Sequence, residues 1–184
     1  MFDLDQFVAD CRAAVEQDSS YKSVREVVAR AVSEPAAVVK ALGEPKAGIQ
    51  KIFQSPNLTV LNIVWAPRMT IYPHNHQMWA VIGIYSGRED NIFWRRVADS
   101  PSGVVEAASA KSLSTGDAYP LGHDIIHSVT NPIPRLTGAI HVYGGDFFNA
   151  PRSEWDPQTL AEQQCDVERI MRLFEEQGEL YSKR

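Results

Sequence analysis

Of the five histidines in the chain, three stand at spacings that suit a metal ion. His74 and His76 flank a single residue in Pro73-His74-Asn75-His76. On a strand, residues i and i+2 project to the same face, so both imidazoles can reach one point in space. His127 comes much later, at the end of Pro120-Leu121-Gly122-His123-Asp124-Ile125-Ile126-His127. A third imidazole from a distant strand completes a triangular face on a first-row metal and leaves its other positions open for chemistry. A lone histidine inside a barrel is usually an interior residue satisfied by its neighbours. Three at these positions point instead to a metal.

Such ligands need strands to aim them, and the chain supplies the signals. Leu58-Thr59-Val60-Leu61-Asn62-Ile63-Val64-Trp65 is rich in β-branched and aromatic residues and reads as a buried strand. Further strand-like runs are Met78 to Tyr85, Asn91 to Val97, Gly103 to Ala110, Ile126 to Thr130 and Leu136 to Tyr143. Turn signals separate them at Ala66-Pro67, Ser86-Gly87-Arg88-Glu89-Asp90, Asp99 to Gly103, Thr115-Gly116-Asp117 and Asn131 to Pro134. Many short strands with such turns predict a β-sandwich or barrel.

Helices flank the strands. Leu4, Phe7, Val8, Cys11 and Val15 make one apolar stripe at helical spacing. A second helix is expected from Ser23, where Ser23-Val24-Arg25-Glu26 has the form of a capping box. Its stripe is Val24, Val27, Val28 and Ala31, and Glu34-Pro35 ends it. A short third helix carries Val38, Val39 and Leu42, with Gly43 placed to cap it. Asp156-Pro157 is expected to open a last helix whose stripe of Leu160, Val167, Ile170, Met171 and Phe174 packs on the barrel's outside. The organisation predicted is a single domain over 1–184, with a helical segment over 1–45, a β-barrel over 46–150 and a helix over 151–184.

Composition narrows the function classes. At 184 residues, 44% hydrophobic and 22% charged, the chain has the balance of a soluble globular protein with a real core. A formal charge of −5 argues against nucleic acid or an anionic membrane as the main partner. The two cysteines, Cys11 and Cys165, fall on segments that read as helices, so a disulfide scaffold is not expected and a reducing cytoplasm fits. No basic, apolar leader and no membrane-length apolar run is seen, which predicts a cytoplasmic protein. The amphipathic N-terminal helices suit the barrel or a second subunit equally, so a homo-oligomer is compatible with the sequence.

The histidine regions resemble the two motifs of the cupin superfamily. Gly116-Asp117, Pro120, Gly122, His127 and, four residues on, Asn131 look like the second motif, which implies that His127 is a ligand. His74-x-His76 and Gly87 look like the first motif, but Trp79, Ala80, Val81 and Ile82 stand where most cupins carry a glutamate ligand. The resemblance is therefore to a three-histidine cupin, and it implies a double-stranded β-helix. Within that group the chain resembles the thiol dioxygenases, such as cysteine dioxygenase and 3-mercaptopropionate dioxygenase. Their S-x-H-x-Y strand is matched by Ala139-Ile140-His141-Val142-Tyr143, and Trp65 precedes the histidine pair as it does in them. Met78 to Gly83 is more similar to the 3-mercaptopropionate branch. The likeness runs from about Leu58 to Phe148.

The resemblance implies one Fe(II) held by His74, His76 and His127, with His141 and Tyr143 as catalytic residues around it. Trp65, Trp79 and Arg68 are candidate substrate-pocket residues. Ala139 replaces the serine of the outer trio, and Val81 falls near the position of a crosslinking cysteine found in some relatives. The residue that would hold a substrate carboxylate matches none of Gln50, Lys51 or Gln54 by motif.

The chemistry is coherent on residue types alone. Three neutral imidazoles leave the metal's +2 charge uncompensated, which favours an anionic ligand such as a thiolate or enolate. The leading expectation is O₂-dependent oxidation of a small thiol, 3-mercaptopropionate or cysteine, to its sulfinate. The rivals are a three-histidine dioxygenase that cleaves a C–C bond of a β-diketone, and a metal-binding cupin without turnover. Ni, Mn or Zn are alternative occupants of such a site. His123 is expected to be a turn residue.

Overall fold

The computed structural model describes residues 2–182; Met1, Lys183 and Arg184, the ends of the predicted span, lie outside the described residues. Strand pairing follows one long antiparallel hairpin folded onto itself. Strands β2 (Leu58–Trp65), β3 (Thr70–Asn75), β4 (Ala80–Ser86) and β5 (Arg88–Arg96) run out, and β6 (Val105–Ser114), β7 (Ala118–Leu121), β8 (Ile126–Thr130) and β9 (Thr137–Tyr143) run back. The returning strands pair in reverse order, β5 with β6, β4 with β7, β3 with β8 and β2 with β9. Alternate pairs fall into opposite sheets. With β1 (Gly48–Ser55), β10 (Ser153–Trp155) and β11 (Glu162–Gln164), the sheets read β1-β2-β9-β4-β7 and β11-β10-β3-β8-β5-β6. This is the double-stranded β-helix of the cupin fold, as expected.

The hairpin needs sharp corners where it passes between sheets. Gly87, the one residue between β4 and β5, has φ +86°, and a Cβ there would lie 2.4 Å from Thr137 Oγ1. Only glycine serves at that corner. The predicted turn over Ser86 to Asp90 is thus shorter than expected, because Arg88, Glu89 and Asp90 already belong to β5.

Strand alternation sorts side chains into two cores. Leu61, Ile63, Trp65, Ala80, Ile82, Ile84, Ala139 and Tyr143 face the barrel interior. Their neighbours Val60, Val81, Tyr85, Ile140 and Val142 face outward onto α1 (Leu4–Gln17) and α2 (Tyr21–Val32). The predicted stripe Val24, Val27, Val28 and Ala31 is wholly buried in that layer. Each such aliphatic contributes about 1.5–3 kcal/mol by leaving water, so the helices cover this chain's own sheet. α2 starts earlier than its capping-box sequence suggests: Ser20 is the N-cap, its hydroxyl accepting from Lys22 N. α3 (Pro35–Leu42) starts at Pro35, the residue read as ending α2, and ends at Gly43, the cap read from the sequence.

The C-terminal region departs most from expectation. Asp156 caps only a turn, its carboxylate accepting from the Gln158 and Thr159 amides, and Leu160 has φ +55°. The chain then pairs as β11, and the helix α4 (Val167–Ser182) begins only after Asp166, whose carboxylate accepts from Arg169 N. Cys165 therefore precedes a helix instead of lying in one. Nor does α4 coat the barrel's outside: Phe174 is buried in the interior cluster, its ring centroid 5.0 Å from that of Trp65. No helix among the described residues is long and apolar enough to cross a membrane.

Candidate metal centre

Two adjacent strands and one corner bring the three histidines together. In the β3–β8 ladder His74 stands directly opposite His127. The register slips between Ile71 and His74, across Tyr72 and Pro73. Proline lacks the N–H that a regular ladder requires, so it sits at such an irregularity, and the slip re-aims the next side chain. His76 follows the last residue of β3, just before Gln77 turns the chain at φ +54°.

The Nε2 atoms converge. His74 Nε2 lies 3.2 Å from His76 Nε2, which lies 3.3 Å from His127 Nε2. Nitrogens bound at about 2.1 Å to one ion at roughly 90–109° would be about 3.0–3.4 Å apart. The opposite ring nitrogens show which way the lone pairs face. His74 Nδ1 is 2.9 Å from the Tyr72 carbonyl, which can only accept, so Nδ1 carries the proton. His127 Nδ1 donates in the same way to Asn91 Oδ1 at 2.7 Å. Both Nε2 lone pairs therefore point at the shared centre, an arrangement that repels itself unless a cation lies between. The residues fit a metal.

Burial holds the ligands in the form a metal needs. Desolvation pushes the His74 pKa down to about 4. His76 is held well below its ordinary value by desolvation and then by the neighbouring imidazoles, and His127 behaves alike. Neutral imidazole is the ligating species.

Around this centre lies a small cavity of about 30 Å³, lined by the three histidines, His141, Tyr143, Arg152 and a ring of apolar side chains from both sheets and α4. That is room for an ion and its immediate ligands. His141 Nδ1 and the Tyr143 hydroxyl are 3.1 Å apart, and the Tyr143 ring centroid is 5.0 Å from that of His76. Burial raises the Tyr143 pKa, so the phenol keeps its proton. The lining includes no carboxylate. Glu89, fully buried on β5, stands behind the ligands and accepts from Asn91 Nδ2 at 3.0 Å.

Arg152 is the residue that motif reading passed over. It is 7% exposed, its guanidinium stacks on Phe147 at 3.9 Å from the ring centroid, and Nη1 donates to the Phe147 carbonyl. No carboxylate pairs with it among the described residues. The nearby Glu154 is already engaged by Arg169 and by Gln163 Nε2 at 2.8 Å. The only sequence signal was an arginine two residues before an acidic position in a strand-compatible run, too weak to single out.

No protein-family model matches the chain, and no curated protein does. Solved structures similar to it include an uncharacterised protein with a double-stranded β-helix domain from Klebsiella pneumoniae, at 15% identity over 63% of this chain and 87% of that one, with a TM-score of 0.46. An RmlC-like cupin family protein from Methanocaldococcus jannaschii is 10% identical over 56% of this chain and 84% of its own, with a TM-score of 0.44. A deletion mutant of Bacillus subtilis oxalate decarboxylase is 15% identical over 59% of this chain, with a TM-score of 0.44. The match spans only 28% of that decarboxylase chain.

The sequence-derived site residues divide into two groups. His74, His76, His127, His141, Tyr143 and Trp65 all line the one cavity. Trp79 lies in the helical layer, its indole N–H donating to the Ser19 carbonyl at 2.8 Å, and Arg68 is an exposed turn residue bonded to the Pro132 carbonyl. Neither borders the cavity. Gln50, Lys51 and Gln54 bond to Asn62, Gln54 and Asp146 on the β1 side. His123 is exposed in the β7–β8 turn, 2.7 Å from Asp124.

Proposed function

We propose that the chain is a non-haem Fe(II) thiol dioxygenase-like enzyme. It oxidises a small anionic thiol of the 3-mercaptopropionate or cysteine type, RSH + O₂ giving RSO₂H. The observation that carries this reading is the charge of the cavity: three neutral imidazoles and a buried Arg152 that donates to a carbonyl and pairs with no carboxylate among the described residues, with no carboxylate in the lining. An anion at both ends, thiolate toward the ligands and carboxylate toward Arg152, is the complement. The small volume favours a small substrate.

When bound, iron supplies the one-electron chemistry that O₂ requires and open positions for thiolate and O₂. The chain's own residues orient and enclose. Arg152 holds the carboxylate by paired N–H donors, the Tyr143 ring packs beside His76 at the reacting end, and Phe147, Trp65 and Phe174 keep water out. The test is anaerobic Fe(II) loading followed by O₂ uptake and sulfinate detection with 3-mercaptopropionate, cysteine and cysteamine. Uptake with the two carboxylated thiols and little with cysteamine is expected; no sulfinate from any thiol would refute the reading.

The apolar ring of Ile49, Ile63, Ile71, Val129 and Ile170 favours a second reading, cleavage of a C–C bond in an enolisable β-diketone. Oxygen uptake with diketones and none with thiols would select it.

A further inference from the structure

Among the described residues three buried side-chain polar atoms are left without a hydrogen-bond partner, Trp65 Nε1, Glu89 Oε2 and His141 Nε2, and the last two form a pair. They face each other across 3.4 Å. Glu89 comes from β5 of one sheet and His141 from β9 of the other, so the pair bridges the barrel. An unsatisfied buried carboxylate oxygen is costly, and a single proton between the two atoms satisfies both. A carboxylate oxygen can only accept, so the proton resides on Nε2.

We infer that Glu89 is a positioning residue that sets the proton arrangement on both sides of the metal centre at once. On one side, Glu89 Oε1 accepts from Asn91 Nδ2, which leaves Asn91 Oδ1 to accept from His127 Nδ1. The His127 Nε2 lone pair is thereby committed to the centre. On the other side, Oε2 holds the His141 proton on Nε2, leaving Nδ1 bare toward the Tyr143 hydroxyl at 3.1 Å. Tyr143 must then donate its proton to His141 and present only lone pairs to the cavity. A second proton, on His141 Nδ1, would place another cation beside Arg152 and the metal. Tyr143 thus acts toward a substrate as an acceptor, matched to an S–H or N–H group.

The inference rests on the three-histidine centre and is independent of thiol turnover, so its test uses neither substrate nor O₂. Zn(II)-loaded protein is diamagnetic and holds the His127 orientation fixed. In ¹⁵N-labelled wild type, long-range ¹H–¹⁵N correlation is expected to show His141 protonated on Nε2 with Nδ1 bare. In Glu89→Gln the amide must offer its oxygen to Asn91 and its N–H to His141. The His141 proton then moves to Nδ1, while zinc affinity stays within about threefold. Asn91→Ala is expected to lower zinc affinity about 10–100-fold, as loss of a ligand's outer hydrogen bond does. The idea fails if wild-type His141 carries its proton on Nδ1 or on both nitrogens, or if Glu89→Gln leaves the tautomer unchanged. Should Glu89→Gln not fold, the wild-type spectrum alone decides. A protein that passes this test and makes no sulfinate would refute the proposed reaction and leave the role of Glu89 standing.

Discussion

The two faces of β9 are equally buried and built on opposite principles. Outward, Ile140 and Val142 pack with Val24, Val28 and Val32 of α2 in a layer made of aliphatic contact. Inward, His141 and Tyr143 join a hydrogen-bonded set that runs through Glu89 and Asn91 to His127. Apolar burial stabilises without direction, whereas the polar interior fixes direction at a cost in desolvation. One strand therefore carries the fold on one side and the chemistry on the other.

Substitutions can separate the two. The largest effect is expected at a ligand: His76→Ala should abolish stoichiometric metal binding, measured by metal analysis after dialysis. The unfolding midpoint of the metal-free protein should not fall, because the change removes converging lone pairs. On the opposite face Ile140→Ala should cost about 2–5 kcal/mol in urea unfolding through its cavity, with metal affinity of the folded protein unchanged. If Ile140→Ala weakened metal binding tenfold, the two faces would not be independent. Arg152→Met keeps the packing on Phe147 and removes the charge. It should raise KM for a carboxylated thiol about 10–100-fold, the equivalent of about 1.5–3 kcal/mol for a charged hydrogen bond, with kcat little changed.

Acid should act on the inner face first. Folded His74 takes up its proton near pH 4, whereas the unfolded chain does so near 6.5. The unfolded state binds more protons in between, so the metal-free protein should lose stability as pH falls from 6.5, with the share due to His74 complete below about 4. His76 and His127 shift in the same direction and steepen the loss. Urea midpoints across that range check the slope, and His74→Phe should flatten part of it. The smallest effect belongs to the helical layer: Trp79→Phe loses one hydrogen bond to Ser19, about 0.5–1.5 kcal/mol, and should leave metal affinity untouched.

Local pattern carried much of this far. β2 and β8 begin and end at the residues read from the sequence, Leu58–Trp65 and Ile126–Thr130, because β-branched runs bounded by turn residues have few alternatives. β1, β3, β7, β10 and β11 were not among the runs read as strands, since Gly48–Ser55 is half-polar, Pro73 interrupts Thr70–Asn75, and the others are three or four residues long. They are strands only because a neighbour is present to pair with. The helix expected from Asp156 failed for the same reason. Asp-Pro is a sound cap sequence, but pairing of Ser153–Trp155 with Glu162–Gln164 claimed the segment that followed.

The candidate site divides along the same line. Spacing and residue type were enough to group His74, His76 and His127 and to set His141 and Tyr143 on one face, since alternation is a property of the strand itself. Glu89 lay hidden in a run that reads as a turn, and Arg152 in the segment assigned to the C-terminal helix, ahead of the cap expected at Asp156. Whether such a side chain meets solvent or the barrel interior depends on which strand lies across from it. That pairing is long-range, and only the closed barrel decides it.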